Sequence, residues 1–186
     1  MHGLRREMLI KQAKLLNIPF DTVELPAEPS MDEYTTKMAK AVTQLKNQGF
    51  THSAFGDIFL EDLRQYRENQ LKPLGVECVF PLWKRDTKQL INEFISLGFK
   101  AIVICINADL LDKSFVGRVI DESFINDLPE GVDPCGENGE FHTFCFEGPI
   151  FSKIVNFSVG EKTYREYQSS DGKNKNIGFW FCDLLP

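Results

Sequence analysis

No apolar run in this 186-residue chain approaches the roughly 20 residues that a membrane-spanning helix needs; the longest are of the kind AIVICI, Ala101 to Ile106. The amino-terminal MHGLRREMLIKQAKLL is charged and amphipathic and does not read as a secretory signal. Dense Lys/Arg runs are missing too. With 21 Lys and Arg against 27 Asp and Glu the net charge is −6, so neither a nucleic-acid-binding nor a membrane-binding surface is expected. One anionic nucleotide is still admissible, because a few amides and local cations can hold it. Cysteine pairs at metal or redox spacing are absent as well. The five cysteines (78, 105, 135, 145, 182) are odd in number and scattered, which favours reduced thiols in a cytoplasmic protein. Cys135, His142 and Cys145 lack the second half that a closed zinc site requires.

What is present is an alternation of helices and strands. Hydrophobic residues make up 42% and charged residues 26%, enough for a packed core. The pattern predicts a helix over Leu4 to Leu16, a strand at FDTVEL (20–25), and a helix opened by the capping box SMDE, Ser30 to Glu33. Next come strand THSAF (51–55), a helix over Leu60 to Leu71, strand VECVF (76–80), and a second capping box, Asp86 to Gln89. FKAIVICIN (99–107) reads as a strand buried on both faces of a parallel sheet. After Phe141 the segments FHTFCF, IFSKIVNFSV and NIGFWFCDLL, joined by turn sequences EGP, VGEK and SSDGKNK, predict antiparallel strands. The fold expected is α/β: a parallel-sheet domain over residues 1–130, then a smaller antiparallel part over 131–186.

Ligands of open α/β sheets bind beyond the carboxyl ends of the strands. That rule selects AFGDIFLEDLRQYRE, FPLWKRDT and the loop GVDPCGENGEF, expected to share one rim. Gly56 would admit close backbone approach, and Asp57 would take a metal or a sugar hydroxyl. Arg64 and Arg67 either neutralise phosphate or pair with Glu61 and Glu68 at helical spacing. Glu137 and Glu140 are the candidates for chemistry. Two carboxylates three residues apart, set among Gly136, Asn138 and Gly139, cannot both be buried without a cation or a proton. Mg²⁺ on a polyphosphate would supply that partner; a solvated acidic turn is the other reading.

The stretches MHGLRREML, AFGDIFLEDLRQYRE, FPLWKRDT, Gly117–Arg118 and above all DPCGENGEFHTF resemble the diphthine–ammonia ligase family, in particular its bacterial branch, in order along the whole chain. The resemblance implies a nucleotide-binding domain of the PP-loop ATP pyrophosphatase (HUP-like) class with a smaller C-terminal part. It implies ATP and Mg²⁺ as cofactors. It also implies a reaction that adenylates a carboxylate (diphthine on elongation factor 2 in the eukaryotic and archaeal members) and amidates it with ammonia, releasing AMP and pyrophosphate. By the resemblance, Glu137 and Glu140 would be catalytic and metal-binding. Gly56, Asp57, Arg64, Gly136 and Gly139 would line the nucleotide, with Arg118, Asn138, His142 and Thr143 in support.

Members of that family begin with a strand and a glycine loop of the form SGGKDS; nothing like it occurs here, and Met1-His2-Gly3 matches an internal point. The expectation is an incomplete chain, started at an internal methionine, that binds ATP weakly and does not turn it over. The alternative is a non-catalytic remnant that binds a nucleotide or a partner.

Overall fold

The computed structural model describes residues 3–26, 29–168 and 176–186. Met1, His2, Ala27, Glu28 and the SSDGKNK segment, expected as a turn, lie outside the described residues. The chain forms two compact units, Met1–Pro19 with Asp86–Pro186, and Phe20–Arg85.

The first unit is built around β3 (Lys100–Asn107), whose residues Ala101 through Ile106 are all buried. Its neighbours are β4 (Phe141–Glu147) on one side and β6 (Asn176–Leu185) on the other, with β5 (Ser158–Gln168) outermost in the order β4-β3-β6-β5. Every pairing is antiparallel. This corrects the reading of FKAIVICIN as a parallel strand. A continuous apolar run reports burial on both faces, and a central antiparallel strand covered on both faces has the same signature.

The core around β3 draws on Met8 from α1 (Arg6–Leu15), Ile91 from α4 (Thr87–Ser96) and Phe124 from α5 (Glu122–Asp127). Local chemistry sets these helices. The Asp86 carboxylate accepts from the Gln89 amide at 2.8 Å to open α4, and Asp121 caps α5 through the Phe124 amide at 2.7 Å. The Arg5 guanidinium donates twice to the Asp183 carboxylate, at 2.8 and 2.6 Å, tying the start of α1 to β6. That pairing holds the Asp183 carboxyl below its ordinary range.

Two turn assignments differ from the sequence reading. EGP does turn, closed by the Phe151 amide donating to Gly148 O at 3.0 Å. VGEK does not: it lies inside β5, where the register with β6 shifts between Val159 and Lys162, a bulge rather than a hairpin. Phe151 to Phe157, expected within a strand, is instead a loop. It is pinned by the Ser152 amide on Leu15 O and the Val155 amide on Phe146 O, both at 2.8 Å.

The second unit holds α2 (Met31–Asn47), β1 (His52–Ala54), α3 (Glu61–Leu71) and β2 (Glu77–Val79). β1 and β2 pair in parallel across α3, the expected βαβ unit. Ser30 caps α2 through the Glu33 amide at 3.1 Å, as its motif predicts. FDTVEL forms no strand: the Glu24 carbonyl accepts from the Lys37 ammonium at 3.0 Å instead of from a neighbouring strand, and Phe20, Val23 and Leu25 stay exposed.

Phe124 sits fully buried between Phe115 and Phe141, edge to face with both at 5.6 and 5.4 Å. Phe124→Ala should cost about 3–5 kcal/mol in urea denaturation. A loss below about 1 kcal/mol would contradict this packing.

Candidate functional site

The acidic loop lies at the carboxyl end of β3. There the Asn107 amide donates to Glu140 O at 2.8 Å, and the next amide, Ala108, donates to Gly178 O on β6 at 2.9 Å. Consecutive residues of the strand end thus hold the loop on one side and β6 on the other.

The loop is organised by a residue the sequence reading passed over, Asp133. Its Oδ1 accepts from the amides of Cys135 (2.9 Å) and Glu137 (3.3 Å), and its own amide donates to Glu140 Oε1 at 2.9 Å. The available signal was Asp-Pro, a turn initiator. Two turns follow, Gly136 N to Asp133 O at 2.9 Å and Gly139 N to Gly136 O at 3.0 Å. Gly136 has φ +72°, and a Cβ there would stand 2.8 Å from Phe141 O. Only glycine fits without moving backbone.

Glu140 is 2% exposed. Its Oε1 takes two donors, the Asp133 amide and Asn138 Nδ2 at 3.0 Å. Its Oε2 is buried and has no hydrogen-bond partner. A carboxylate oxygen removed from water without a partner costs about 1–3 kcal/mol or more, so the geometry leaves one strong acceptor position open to a donor. Glu137 is half-buried in the same loop. Asp133, Glu137 and Asp86 all lie close enough to Cys135 to act on its thiol electrostatically, which makes the field around the loop negative.

The other residues expected here fall as follows. His142 and Thr143 are on β4, opposite Cys105 and Val103; Thr143 is exposed. Arg118 pairs with Asp127 at 2.8 Å and lies over the rings of Phe115 and Phe124 at 5.3 and 5.4 Å. Phe124 meets Phe141, the residue after Glu140, so one aromatic ring separates Arg118 from the end of the loop. Among the described residues no three His, Cys, Asp or Glu side chains converge as a metal site. The donor set therefore fits Mg²⁺ only in the form it takes on phosphates, with one or two carboxylates and water.

Gly56, Asp57 and Arg64 belong to the second unit. Nothing lies within 4 Å of where a Gly56 side chain would begin. Asp57 is 8% exposed, and Arg67 engages both its oxygens at 2.6 and 3.2 Å while lying 4.4 Å over the Phe55 ring. Arg64 donates to Glu68 at 2.8 Å and stacks over Phe80 and Trp83 at 4.9 and 4.7 Å. Both arginines are ion-paired, Arg64 with Glu68 at helical spacing and Arg67 with Asp57 in place of a helix neighbour. In the same unit a cavity of about 130 Å³ opens among Tyr34, Met38, Phe55, Tyr66, Arg67 and Leu71.

Burial, with the charges of Asp133, Glu137 and Asp86, pushes the Cys135 thiol up to about 12, and the thiol donates to Thr87 O at 3.3 Å. In the unfolded chain a cysteine ionises near about 8.5. Between these values the unfolded chain has lost a proton that the folded protein keeps, so stability present below about pH 8.5 is lost as pH rises toward 12. Thermal denaturation across that range should fall less steeply for Cys135→Ala than for the unaltered protein; parallel profiles would refute the assignment.

Residues 86–174, all within the first unit, match the family described as the diphthamide synthase C-terminal domain. Among curated proteins, the chain is 36% identical over 102 residues to the diphthine–ammonia ligase of Bos taurus, covering 52% of this chain and 38% of that protein. Against the human protein of that name identity is 35% over 102 residues, covering 52% and 38%. Against that of Danio rerio it is 36% over 126 residues, covering 64% and 48%. The chain thus spans less than half the length of these relatives.

Proposed function

We propose, from its similarity to the diphthamide synthase C-terminal domain and to diphthine–ammonia ligases, that the chain acts in an ATP-dependent carboxylate–ammonia ligation, with the acidic loop as the ammonia end of the site. The acceptor carboxylate attacks the α-phosphorus of ATP, pyrophosphate leaves, and an acyl-adenylate forms. Ammonia then attacks the acyl carbon, AMP departs with the C–O bond, and the nitrogen sheds one proton. Diphthine is the acceptor that the relatives' name points to, and the family resemblance implies that it sits on elongation factor 2.

The observation that carries this reading is the unpartnered Glu140 Oε2. Ammonia or ammonium is an N–H donor small enough for one buried acceptor, and the same oxygen can take the proton released when the C–N bond forms. Asp133 and Asn138 hold Oε1, so the side chain cannot swing away. Glu137, less buried in the same loop, is left as the carboxylate for Mg²⁺ on the phosphates. Gly136 and Gly139 let the loop backbone approach the ligand.

A second reading, binding without turnover, is favoured by one observation. The Asp57 carboxylate and the Arg64 guanidinium are engaged with Arg67 and Glu68, so they are not free to grip a ligand without rearranging.

Incubation of a form that also carries an SGGKDS-type loop with ATP, Mg²⁺, ammonium and diphthine-bearing elongation factor 2, followed by chromatography for AMP, tests the proposal; the 186 residues by themselves are expected not to turn ATP over. AMP should form in step with the amide. Glu140→Gln keeps an acceptor for Asp133 and Asn138 but puts an amide NH₂ at the open position. It should lower ammonium-dependent turnover by about ten- to a hundredfold, the worth of one charged hydrogen bond, with the melting temperature nearly unchanged. ATP binding by calorimetry without any AMP would sink the ligase reading and leave the binding one.

A further inference from the structure

Nothing about the open oxygen of the acidic loop is particular to ammonia. Glu140 is 2% exposed, and its Oε2 is buried and without a hydrogen-bond partner. Its Oε1 is held by the Asp133 amide at 2.9 Å and by Asn138 Nδ2 at 3.0 Å, so the side chain is pinned and the free oxygen has a fixed position. Burial first, then the charges of Asp133, Glu137 and Asp86, raise the neighbouring Cys135 thiol, and all three of those charges are negative. A carboxylate out of water among like charges is stabilised by a cation.

Burial and charge decide which cation. An ion on a buried oxygen gives up part of its water, and that loss is cheapest for a large ion of single charge; Mg²⁺, small and doubly charged, dehydrates reluctantly. One carboxylate matches one positive charge. Among the described residues no three His, Cys, Asp or Glu side chains converge to offer a divalent ion more. Ammonium and K⁺ carry the same charge, are close in size and are both weakly hydrated. They differ in direction only: ammonium needs acceptors along its N–H bonds, whereas K⁺ takes oxygens from any side, backbone carbonyls included.

We propose that Glu140 Oε2 is a potassium site, and that K⁺ and ammonium exclude each other there. The inference rests on the reading of this oxygen as the ammonia end of the ligase site, and it adds regulation to that reading. Amidation then responds to the ratio of ammonium to K⁺ instead of to ammonium alone. Adenylation does not use this oxygen, so K⁺ acts on the ammonia step and leaves the nucleotide step unchanged.

Thermal denaturation of the 186-residue protein without ATP, at constant ionic strength as LiCl is replaced by KCl, tests the site. An ion that binds only the folded state raises its melting temperature, so the temperature should climb saturably with K⁺, and likewise with ammonium. The NMR signal of the Asp133 amide, which donates to the other oxygen of the same carboxylate, should move with the same midpoint. Glu140→Gln should weaken K⁺ by about ten- to a hundredfold, the worth of one contact to a charged group. Glu137→Gln, which leaves Oε2 in place, should weaken it by no more than about fivefold, as for a part-exposed charge. In a form that also carries an SGGKDS-type loop, K⁺ should raise the KM for ammonium and leave kcat and the KM for ATP unchanged. Equal responses to Li⁺ and K⁺, a K⁺ response that survives Glu140→Gln, or inhibition competitive with ATP overturns the proposal; the first and last of these do not depend on how the variant folds. A K⁺ response with no AMP formed would remove the ligase reading and keep the ion site. Amide formed equally well in K⁺ and in Li⁺ would do the reverse.

Discussion

The first unit depends on one constraint: β3 is apolar along both faces and must be covered on both. That places it at the centre of its sheet, draws Met8, Ile91 and Phe124 into one core, and leaves its carboxyl end as the place where polar backbone emerges. The amides of Asn107 and Ala108 are the first beyond the ladder's apolar stretch. They are satisfied by Glu140 O and Gly178 O, so the positions of the acidic loop and of β6 are both consequences of how the central strand ends. A rigid, buried strand can hold loops whose own backbone is rich in glycine.

The loop stores an imbalance. Asp133 organises the turn amides and, with Asn138, fixes one oxygen of Glu140, while the other oxygen is left dry and unpartnered. A solvated acidic turn would let both oxygens meet water. The second unit is of another kind: α2 has no buried residue, and its two-stranded sheet is the size that is marginal by itself. Its charged groups are matched internally, Asp57 with Arg67 and Arg64 with Glu68.

Much of this was legible from the chain. Ser30 and Asp86 named their helices because a cap is a local bond between near neighbours. The βαβ unit and the antiparallel character of the last third followed from period and turn residues, and DPCGENGEFHTF marked both the family resemblance and the loop. What was not legible is non-local. The strand sense of β3 depends on partners about 40 and 80 residues away in sequence, and an apolar run carries no sign of direction. VGEK has turn composition but sits in a bulge, because the strand opposite it continues. FDTVEL alternates like a strand yet forms none. The two readings of the arginines could not be separated either, because Arg67 turns to Asp57, ten residues away, instead of to a helix neighbour.

The central claim is that Glu140 Oε2 is the seat of an N–H donor cation. Rubidium and thallium(I) ions resemble ammonium in size and charge and are located by anomalous scattering. A crystal structure of the protein grown with either ion should show an anomalous peak about 3 Å from Glu140 Oε2, the distance of a charge-assisted contact, and the peak should diminish when ammonium is added in competition. An ordered water joining Oε2 to protein groups, with the ion bound elsewhere or not at all, would show that the buried oxygen is satisfied by solvent and that the loop is structural.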